Sequence, residues 1–207
     1  MLLRAVTSGT ITNGVEMKAI KSKLIAAFIA AGLSAPAAFV AYDLTLPSEG
    51  LVLQPYSDPV GLKTICAGHL VQKGEEVKGR YTEEECMEVF ASDWQKHLKQ
   101  IDGAVKVPYA SEWQRQALND FTFNLGIGSV KGSTLLRLVN QGKHKEACEQ
   151  LTRWVYAGGK KLKGLVLRRE KTMPYCLGEL TPEKQKDYQQ FLKEYENEAR
   201  RQLEARS

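Results

Sequence analysis

Residues 48–71 read S-E-G-L-V-L-Q-P-Y-S-D-P-V-G-L-K-T-I-C-A-G-H-L-V, and both the fold and the chemistry of the chain start from this stretch. Asp58 opens a D-P-V-G sequence, with proline second and glycine fourth, which is typical of a type I turn. The residues that follow are rich in apolar and β-branched types, so a β-hairpin is predicted. A helix end followed by this hairpin would bring Glu49, Asp58 and Thr64 to one cleft.

These three side chains suit glycoside hydrolysis, which needs one protonated carboxyl group and one ionised carboxylate. Glu49 is followed by Gly50 and three apolar residues, and an apolar environment favours the protonated form and the role of acid. Asp58 lies in a polar turn and is expected to stay charged, with Thr64 holding the water that it activates. Spacing alone does not decide, because an aspartate in a turn is usually only a turn former.

The order E-x8-D-x5-T, continued as I-C-A-G-H-L, resembles the catalytic segment of the phage lysozymes, glycoside hydrolase family 24, and in particular of the signal-arrest-release (SAR) endolysins of lambdoid phages. The similarity runs from about Glu49 to Gly178. It includes the motifs Y-T-E-E-E-C (81–86), F-T-F-N-L-G (121–126), S-T-L-L-R (133–137), R-W-V-Y-A-G-G-K (153–160) and G-L-V-L-R-R-E (164–170). The resemblance implies an α+β, mostly helical fold in two lobes, with a β-hairpin in the small N-terminal lobe and a helical C-terminal lobe.

The resemblance also implies the roles of single residues. Glu49 would be the general acid, Asp58 the water-directing base and Thr64 its helper, with inversion at the anomeric carbon. Leu70 and Phe123 would contact the substrate, although a second packed face is an equally good interpretation of Phe123. The expected enzyme is an N-acetylmuramidase that cleaves the β-1,4 bond between N-acetylmuramic acid and N-acetylglucosamine in peptidoglycan, needs neither cofactor nor metal, and causes host cell lysis.

Two other functions compete with hydrolysis. A lytic transglycosylase forms an anhydro product and typically manages with one acid, and the presence of both Asp58 and Thr64 argues against it. The chain could instead be a membrane-anchored protein that binds the cell wall without cleaving it, and the complete triad argues against that as well.

An uncharged stretch runs from Leu24 to Tyr42, between Lys23 and Asp43. As one helix, this N-terminal apolar segment would be roughly 28 Å long, close to the thickness of the hydrocarbon layer. Basic residues precede the stretch, so its amino end should stay in the cytoplasm. It is rich in alanine and contains Gly32 and Pro36, which makes it a poor permanent anchor. A cleaved signal peptide is possible, and the resemblance favours a helix that later leaves the bilayer.

The predicted organisation has four parts: a basic cytoplasmic segment (1–23), a signal-anchor helix (24–42), a catalytic domain (43–180) and a charged C-terminal helix (181–207). Met17 is an alternative start. The protein should be tethered to the host inner membrane, facing the periplasm, and then be released as a monomer. The apolar stripe of the C-terminal helix is expected to dock on the C-terminal lobe.

The net charge of +5 favours polyanionic partners such as anionic lipid or the bacterial wall. Nucleic acid is not expected, because no basic block is interleaved with aromatic residues. A basic cluster either forms a solvated face or contacts muramic acid carboxylates or stem peptides; its members are Lys160, Lys161, Lys163, Arg168 and Arg169.

Cys66, Cys86, Cys148 and Cys176 form an even set, and an exported chain permits disulfides. Three pairings are possible, of which Cys66–Cys86 with Cys148–Cys176 is the least demanding. The histidines show no metal-ligand spacing with the cysteines. His69, next to a glycine, is expected to be a hydrogen-bonding structural residue.

Overall fold

The computed structural model describes residues 14–58 and 61–207. They form two compact units, one of Trp94–Gln185 and the other of the described residues up to Asp93 together with Lys186–Ser207. Most residues are helical and the strands are short and antiparallel, so the predicted α+β, mostly helical fold is confirmed. Most of the basic segment predicted over residues 1–23 lies outside the described residues.

The N-terminal apolar segment does not form one helix. Helix α1 (Gly14–Ala30) ends before a turn at Gly32, whose φ is +69°, and α2 (Ala35–Val40) begins after it. The hydroxyl of Ser34 caps α2 by accepting from the N–H of Ala37 at 3.4 Å, and proline occupies the first turn. Proline has no N–H to donate and is favoured in the first turn of a helix, whereas it is costly in a helix interior, so Pro36 favours a helix that starts here. The single continuous helix predicted over residues 24–42 is therefore not found.

Helix α2 runs directly into a π-helical turn (Ala41–Thr45) and then into α3 (Leu46–Glu49). Within the part of the chain that the structure describes, no helix is both long and apolar enough to cross a membrane. The anchor function of residues 24–42 stays a prediction.

A three-stranded antiparallel sheet follows α3, made of β1 (Val52–Ser57), β2 (Lys63–Cys66) and β3 (His69–Leu70) in that order. The predicted hairpin is thus extended by a third strand. The register between β1 and β2 shifts between Val52 and Tyr56. Pro55 lies in this irregular part, where a residue without an N–H does least harm to the ladder.

Helix α4 (Glu83–Asp102) begins with a capping box made by Thr82 and Glu85. The N–H of Glu85 donates to the Thr82 hydroxyl at 3.2 Å, and the Glu85 carboxylate accepts from the N–H of Thr82 at 2.8 Å. An apolar stripe at helical spacing is buried at every position, and its members are Met87, Phe90, Trp94, Leu98 and Ile101. The boundary between the two units falls within this helix.

The unit of Trp94–Gln185 consists mostly of helices. Its helices are α5 (Glu112–Leu125), α6 (Ile127–Lys131), α7 (Thr134–Val139), α8 (His144–Glu149) and α9 (Lys163–Leu177), with a 3-10 turn (Gln150–Arg153) after α8. Helical structure is interrupted after this 3-10 turn. The chain instead enters a small hairpin, β4 (Tyr156–Ala157) and β5 (Lys160–Lys161), whose turn residues Gly158 and Gly159 have φ of +52° and +74°.

At the start of helix α10 (Pro182–Glu204), the Thr181 hydroxyl accepts from the N–H of Lys184 at 3.2 Å. From Lys186 onward it belongs to the unit of the N-terminal apolar segment. The expectation that the tail docks on the C-terminal lobe is therefore wrong. Phe191 is buried against residues 39 and 42, whereas Leu203, assigned to the same stripe, is 68% exposed.

Two disulfides, Cys66–Cys86 and Cys148–Cys176, connect the four cysteines in the pairing judged least demanding from the sequence. Each bond lies inside one unit. The first joins β2 to α4, and the second joins α8 to α9.

Removal of the Cys66–Cys86 bond by a Cys66→Ala/Cys86→Ala double substitution should lower the free energy of unfolding by about 3 kcal/mol, because the bond closes a short loop in the unfolded chain. Denaturant unfolding of the oxidised protein and of the double variant measures this difference. A midpoint unchanged by the substitution would show that the bond does not restrain the unfolded state.

Candidate active site

Glu49 is the last residue of α3 and is only 2% exposed. Gly50 follows with φ +75°, a conformation that glycine adopts without steric cost, and its N–H donates to the carbonyl of Leu46 at 2.9 Å. The helix therefore stops immediately after Glu49, and the chain starts β1 two residues later. The carboxyl group of Glu49 is thus held at a fixed helix end and shielded from solvent.

Asp58 and Thr64 are connected through the backbone of Leu62. The N–H of Leu62 donates to Oδ1 of Asp58 at 2.8 Å, which orients the carboxylate. The carbonyl of Leu62 accepts from the N–H of Asp58 at 2.9 Å and from the hydroxyl of Thr64 at 3.1 Å. The Asp58 and Thr64 side chains are therefore both held by the backbone of one residue, Leu62, in the loop between β1 and β2.

The predicted turn that opens at Asp58 is partly visible. The N–H of Gly61 donates to the carbonyl of Asp58 at 2.9 Å, which is the hydrogen bond of a four-residue turn. Its type depends on Pro59 and Val60, which lie outside the described residues.

Leu70 lies beside Thr64, because these two residues are directly paired across β2 and β3. On its other side, Thr64 is paired with Tyr56 of β1. Thr64 is 1% exposed, while Leu70 is partly exposed. The structure thus places Leu70 and Thr64 side by side in the small sheet, with Asp58 directly after β1, and their roles in catalysis and substrate contact stay predictions.

Phe123 belongs to the other unit and is 7% exposed. Its ring centroid lies 6.2 Å from that of Trp94 and 5.0 Å from that of His97. This geometry favours the second packed face that was the alternative interpretation, and a contact between Phe123 and substrate stays a prediction.

The predicted basic cluster is divided by the fold. Lys160, Lys161 and Lys163 are exposed, but Arg168 and Arg169 are 5% and 1% exposed. The two arginines are buried inside their unit and are not part of a charged surface. The prediction that they form one basic cluster with the three lysines is therefore wrong. Arg169 donates to the carbonyl of Trp154 at 3.1 Å.

Trp154 also lines a cavity of about 440 Å³ in the same unit. Its other lining residues are Gly132, Ser133, Thr134, Gln150, Arg153 and Tyr156. Tyr156 is 53% exposed. Aromatic rings next to polar groups are suited to carbohydrate. No function was predicted from the sequence for Trp154 and Tyr156, although both lie in the motif R-W-V-Y (153–156).

His69 contacts two carboxylates that were not predicted from the sequence, and forms a polar cluster with them. Its Nδ1 lies 2.8 Å from Oδ2 of Asp93, and its Nε2 lies 3.0 Å from Oε1 of Glu75. The hydrogen bond with Asp93 raises the pKa of His69 most strongly, burial opposes this, and Glu75 adds to the rise. The expectation that His69 is a structural hydrogen-bonding residue is confirmed, and the cluster ties β3 to α4.

This cluster predicts a pH-dependent stability. Because the pKa of His69 is raised in the folded protein, the stabilisation is fully present below the unfolded value of 6.5 and is lost as the pH rises through the folded value. The free energy of unfolding of the unchanged protein should therefore exceed that of a His69→Gln variant most below pH 6.5, with a gap that closes at higher pH. Urea titrations at a series of pH values measure the gap, and a constant gap would contradict the ion-pair origin.

Comparison with known proteins agrees with this geometry. The family model described as phage lysozyme matches residues 47–172, more than half of the chain. The chain belongs to the phage lysozyme family. A SAR-endolysin of bacteriophage PS119 is 45% identical over 131 residues, covering 62% of this chain and 76% of the relative. A SAR-endolysin of Enterobacteria phage P21 is 41% identical over 160 residues, covering 75% and 94%.

Among solved structures, the muramidase domain of SpmX from Asticaccaulis excentricus is 28% identical and matches this phage lysozyme with a TM-score of 0.58. The match covers 68% of this chain and 94% of that domain. The predicted lysozyme-like fold is therefore confirmed, and so are the predictions of a lysozyme-type glycoside hydrolase and of an endolysin. The family match includes Glu49, Asp58, Thr64, Leu70 and Phe123.

Proposed function

We propose that this phage lysozyme hydrolyses the β-1,4 bond between N-acetylmuramic acid and N-acetylglucosamine, with Glu49 as general acid, Asp58 as general base and Thr64 as the group that positions water. The observation that carries the proposal is the backbone of Leu62, whose N–H donates to Asp58 and whose carbonyl accepts from the hydroxyl of Thr64. Glu49, at a buried helix end, supplies the second carboxyl group that the reaction needs.

In the proposed reaction the carboxyl proton of Glu49 passes to the glycosidic oxygen as its bond to the anomeric carbon breaks. Asp58 takes a proton from a water molecule, whose oxygen forms the new bond to that carbon from the opposite face. The anomeric carbon is thereby inverted. At the end of the reaction Glu49 is ionised and Asp58 is protonated. Proton exchange with solvent then restores the starting protonation state of each carboxyl group.

Thr64 is suited to positioning the attacking water because its hydroxyl hydrogen is already donated to the carbonyl of Leu62. The hydroxyl oxygen can then accept a hydrogen bond from the attacking water, which fixes the orientation of the water relative to Asp58. Fixing the nucleophile in this way converts a bimolecular encounter into a positioned step.

The experiment that tests this reaction is mass spectrometry of the muropeptides released from purified sacculi by the full chain. Reducing-end products with one added water are expected, and NMR early in the reaction should show the α-anomer of the new muramic acid end before it equilibrates. Anhydro-muramic products would instead show transglycosylation. Release of no product by the folded protein would favour the wall-binding function.

We infer, in addition, that residues 24–42 tether the newly made enzyme to the inner membrane with its catalytic part in the periplasm, and that they later leave the bilayer. Support comes from the uncharged sequence between Lys23 and Asp43, from the lysines that precede it, and from similarity to proteins named SAR-endolysins. Fractionation of pulse-labelled cells should find the chain first with the membrane and later in the soluble periplasm. Immediate appearance in the soluble fraction would contradict the tether.

The monomeric state of the released enzyme stays a prediction. Light scattering of the purified full chain should give the mass of one chain, and a concentration-dependent larger mass would contradict it.

A further inference from the structure

Helix α10 lies beyond the part of the chain that matches the family, which ends at residue 172. Most of its side chains are charged or polar, but Phe191 is 1% exposed and forms the centre of a short apolar stripe with Tyr188 and Tyr195. A single buried stripe on an otherwise charged helix needs an apolar partner. In this structure the partner is the N-terminal apolar segment.

The first match between the two is aromatic. The ring centroid of Phe39 lies 5.2 Å from those of both Tyr188 and Phe191, and both pairs meet edge to face. The ring of Tyr42 lies 6.0 Å from that of Phe191. Edge-to-face pairs add favourable energy beyond the burial of their area.

The second match is made by hydrogen bonds. The hydroxyl of Tyr195 donates to the carbonyl of Leu33, and the amide of Gln202 donates to the carbonyl of Ala26 at 3.1 Å. Leu33 lies in the turn between α1 and α2, where the helical hydrogen-bond ladder is interrupted. In a bilayer these carbonyls would have to be satisfied within one unbroken helix. Helix α10 supplies side-chain donors that a lipid tail cannot.

The third match is electrostatic. The Nζ atom of Lys21 lies 2.7 Å from the carboxylate of Glu194 and 5.7 Å from the ring centroid of Phe191. The Lys21 side chain is 15% exposed, so this ion pair is shielded from water more than a typical surface pair. Lys21 is also one of the basic residues that precede the apolar stretch, so the charge that would hold the amino end at the membrane surface is bound by α10 in this fold.

We propose that α10 is the acceptor surface on which the N-terminal apolar segment docks when it leaves the bilayer. The inference rests on the proposed membrane tether. Contacts made only in the released state shift the equilibrium toward that state. Without the aromatic stripe of α10, residues such as Phe39 would exchange lipid for water on release, and the segment would favour a return to the membrane.

The test follows release of the full chain in cells, on a Glu49→Gln background that prevents lysis. Phe191→Ala should lower the ratio of soluble to membrane-bound chain by about 100-fold, since loss of a buried aromatic is costly. Tyr195→Phe keeps the ring and removes only the donor to Leu33, so it should lower the ratio about threefold. The control Leu203→Ala, on the exposed face of the same helix, should leave the ratio unchanged.

The outcomes separate this inference from the tether. One outcome is that the parent chain passes through a membrane-bound pool while the Phe191→Ala and Tyr195→Phe chains are released at the parent ratio. That result would overturn the acceptor role of α10 and leave the tether in place. Parent chain that never associates with the membrane would overturn both. The Tyr195→Phe chain decides if Phe191→Ala does not fold, and circular dichroism of the soluble fraction establishes which variants are folded.

Discussion

Replacement of Glu49 by glutamine is expected to lower the rate of peptidoglycan hydrolysis by a factor of about 10²–10⁴, the usual contribution of a positioned general acid. Glutamine has nearly the same shape but cannot donate a carboxyl proton to the leaving oxygen. Because Glu49 is 2% exposed at the end of α3, solvent does not readily replace it as the donor. The initial rate of sacculus solubilisation measures the loss.

A matched control is Glu179→Gln, the same chemical change at an exposed glutamate. This variant should retain the parent rate, and the Glu49→Gln protein should still bind sacculi in a sedimentation assay. Parent-like turnover by the folded Glu49→Gln protein would remove Glu49 from the mechanism. Loss of binding together with turnover would show that the substitution damaged the site and not only its proton donor.

Replacement of Arg168 by methionine is expected to destabilise its unit by about 3–5 kcal/mol, because it leaves a buried carboxylate without its charged partner. Nη2 of Arg168 lies 2.7 Å from Oδ1 of Asp120, and these side chains are 5% and 0% exposed. The hydroxyl of Thr172 also donates to Asp120, at 3.3 Å. Denaturant unfolding measures the loss.

The control for this effect is Arg201→Met, the same substitution at an exposed pair. Nη2 of Arg201 lies 3.1 Å from Glu198, and the Arg201 side chain is 71% exposed, so a change below about 1 kcal/mol is expected. Combining Arg168→Met with Asp120→Leu should recover part of the lost stability, since the uncompensated charge is then removed. Equal losses for Arg168→Met and Arg201→Met would contradict the burial argument.

Features set by neighbours along the chain were predictable from the sequence. The capping box at Thr82, the end of α3 at Gly50 and the cap at Ser111 each depend on only a few consecutive residues. The stripe of α4 follows from the 3.6-residue helical period. The acid, base and hydroxyl of the proposed site were also visible in residues 48–71, because one short segment carries all three.

Features that join distant segments were decided only by the tertiary structure. Periodicity shows that α10 has an apolar stripe but not which surface covers it, so the tail was assigned to the wrong lobe. Arg168 looks like a surface cation until Asp120, 48 residues away, is seen beside it. Asp93, which lies beside Nδ1 of His69, likewise belongs to a separate element, α4. Local sequence determines what each element can form, whereas burial and charge pairing between remote elements depend on the complete packing.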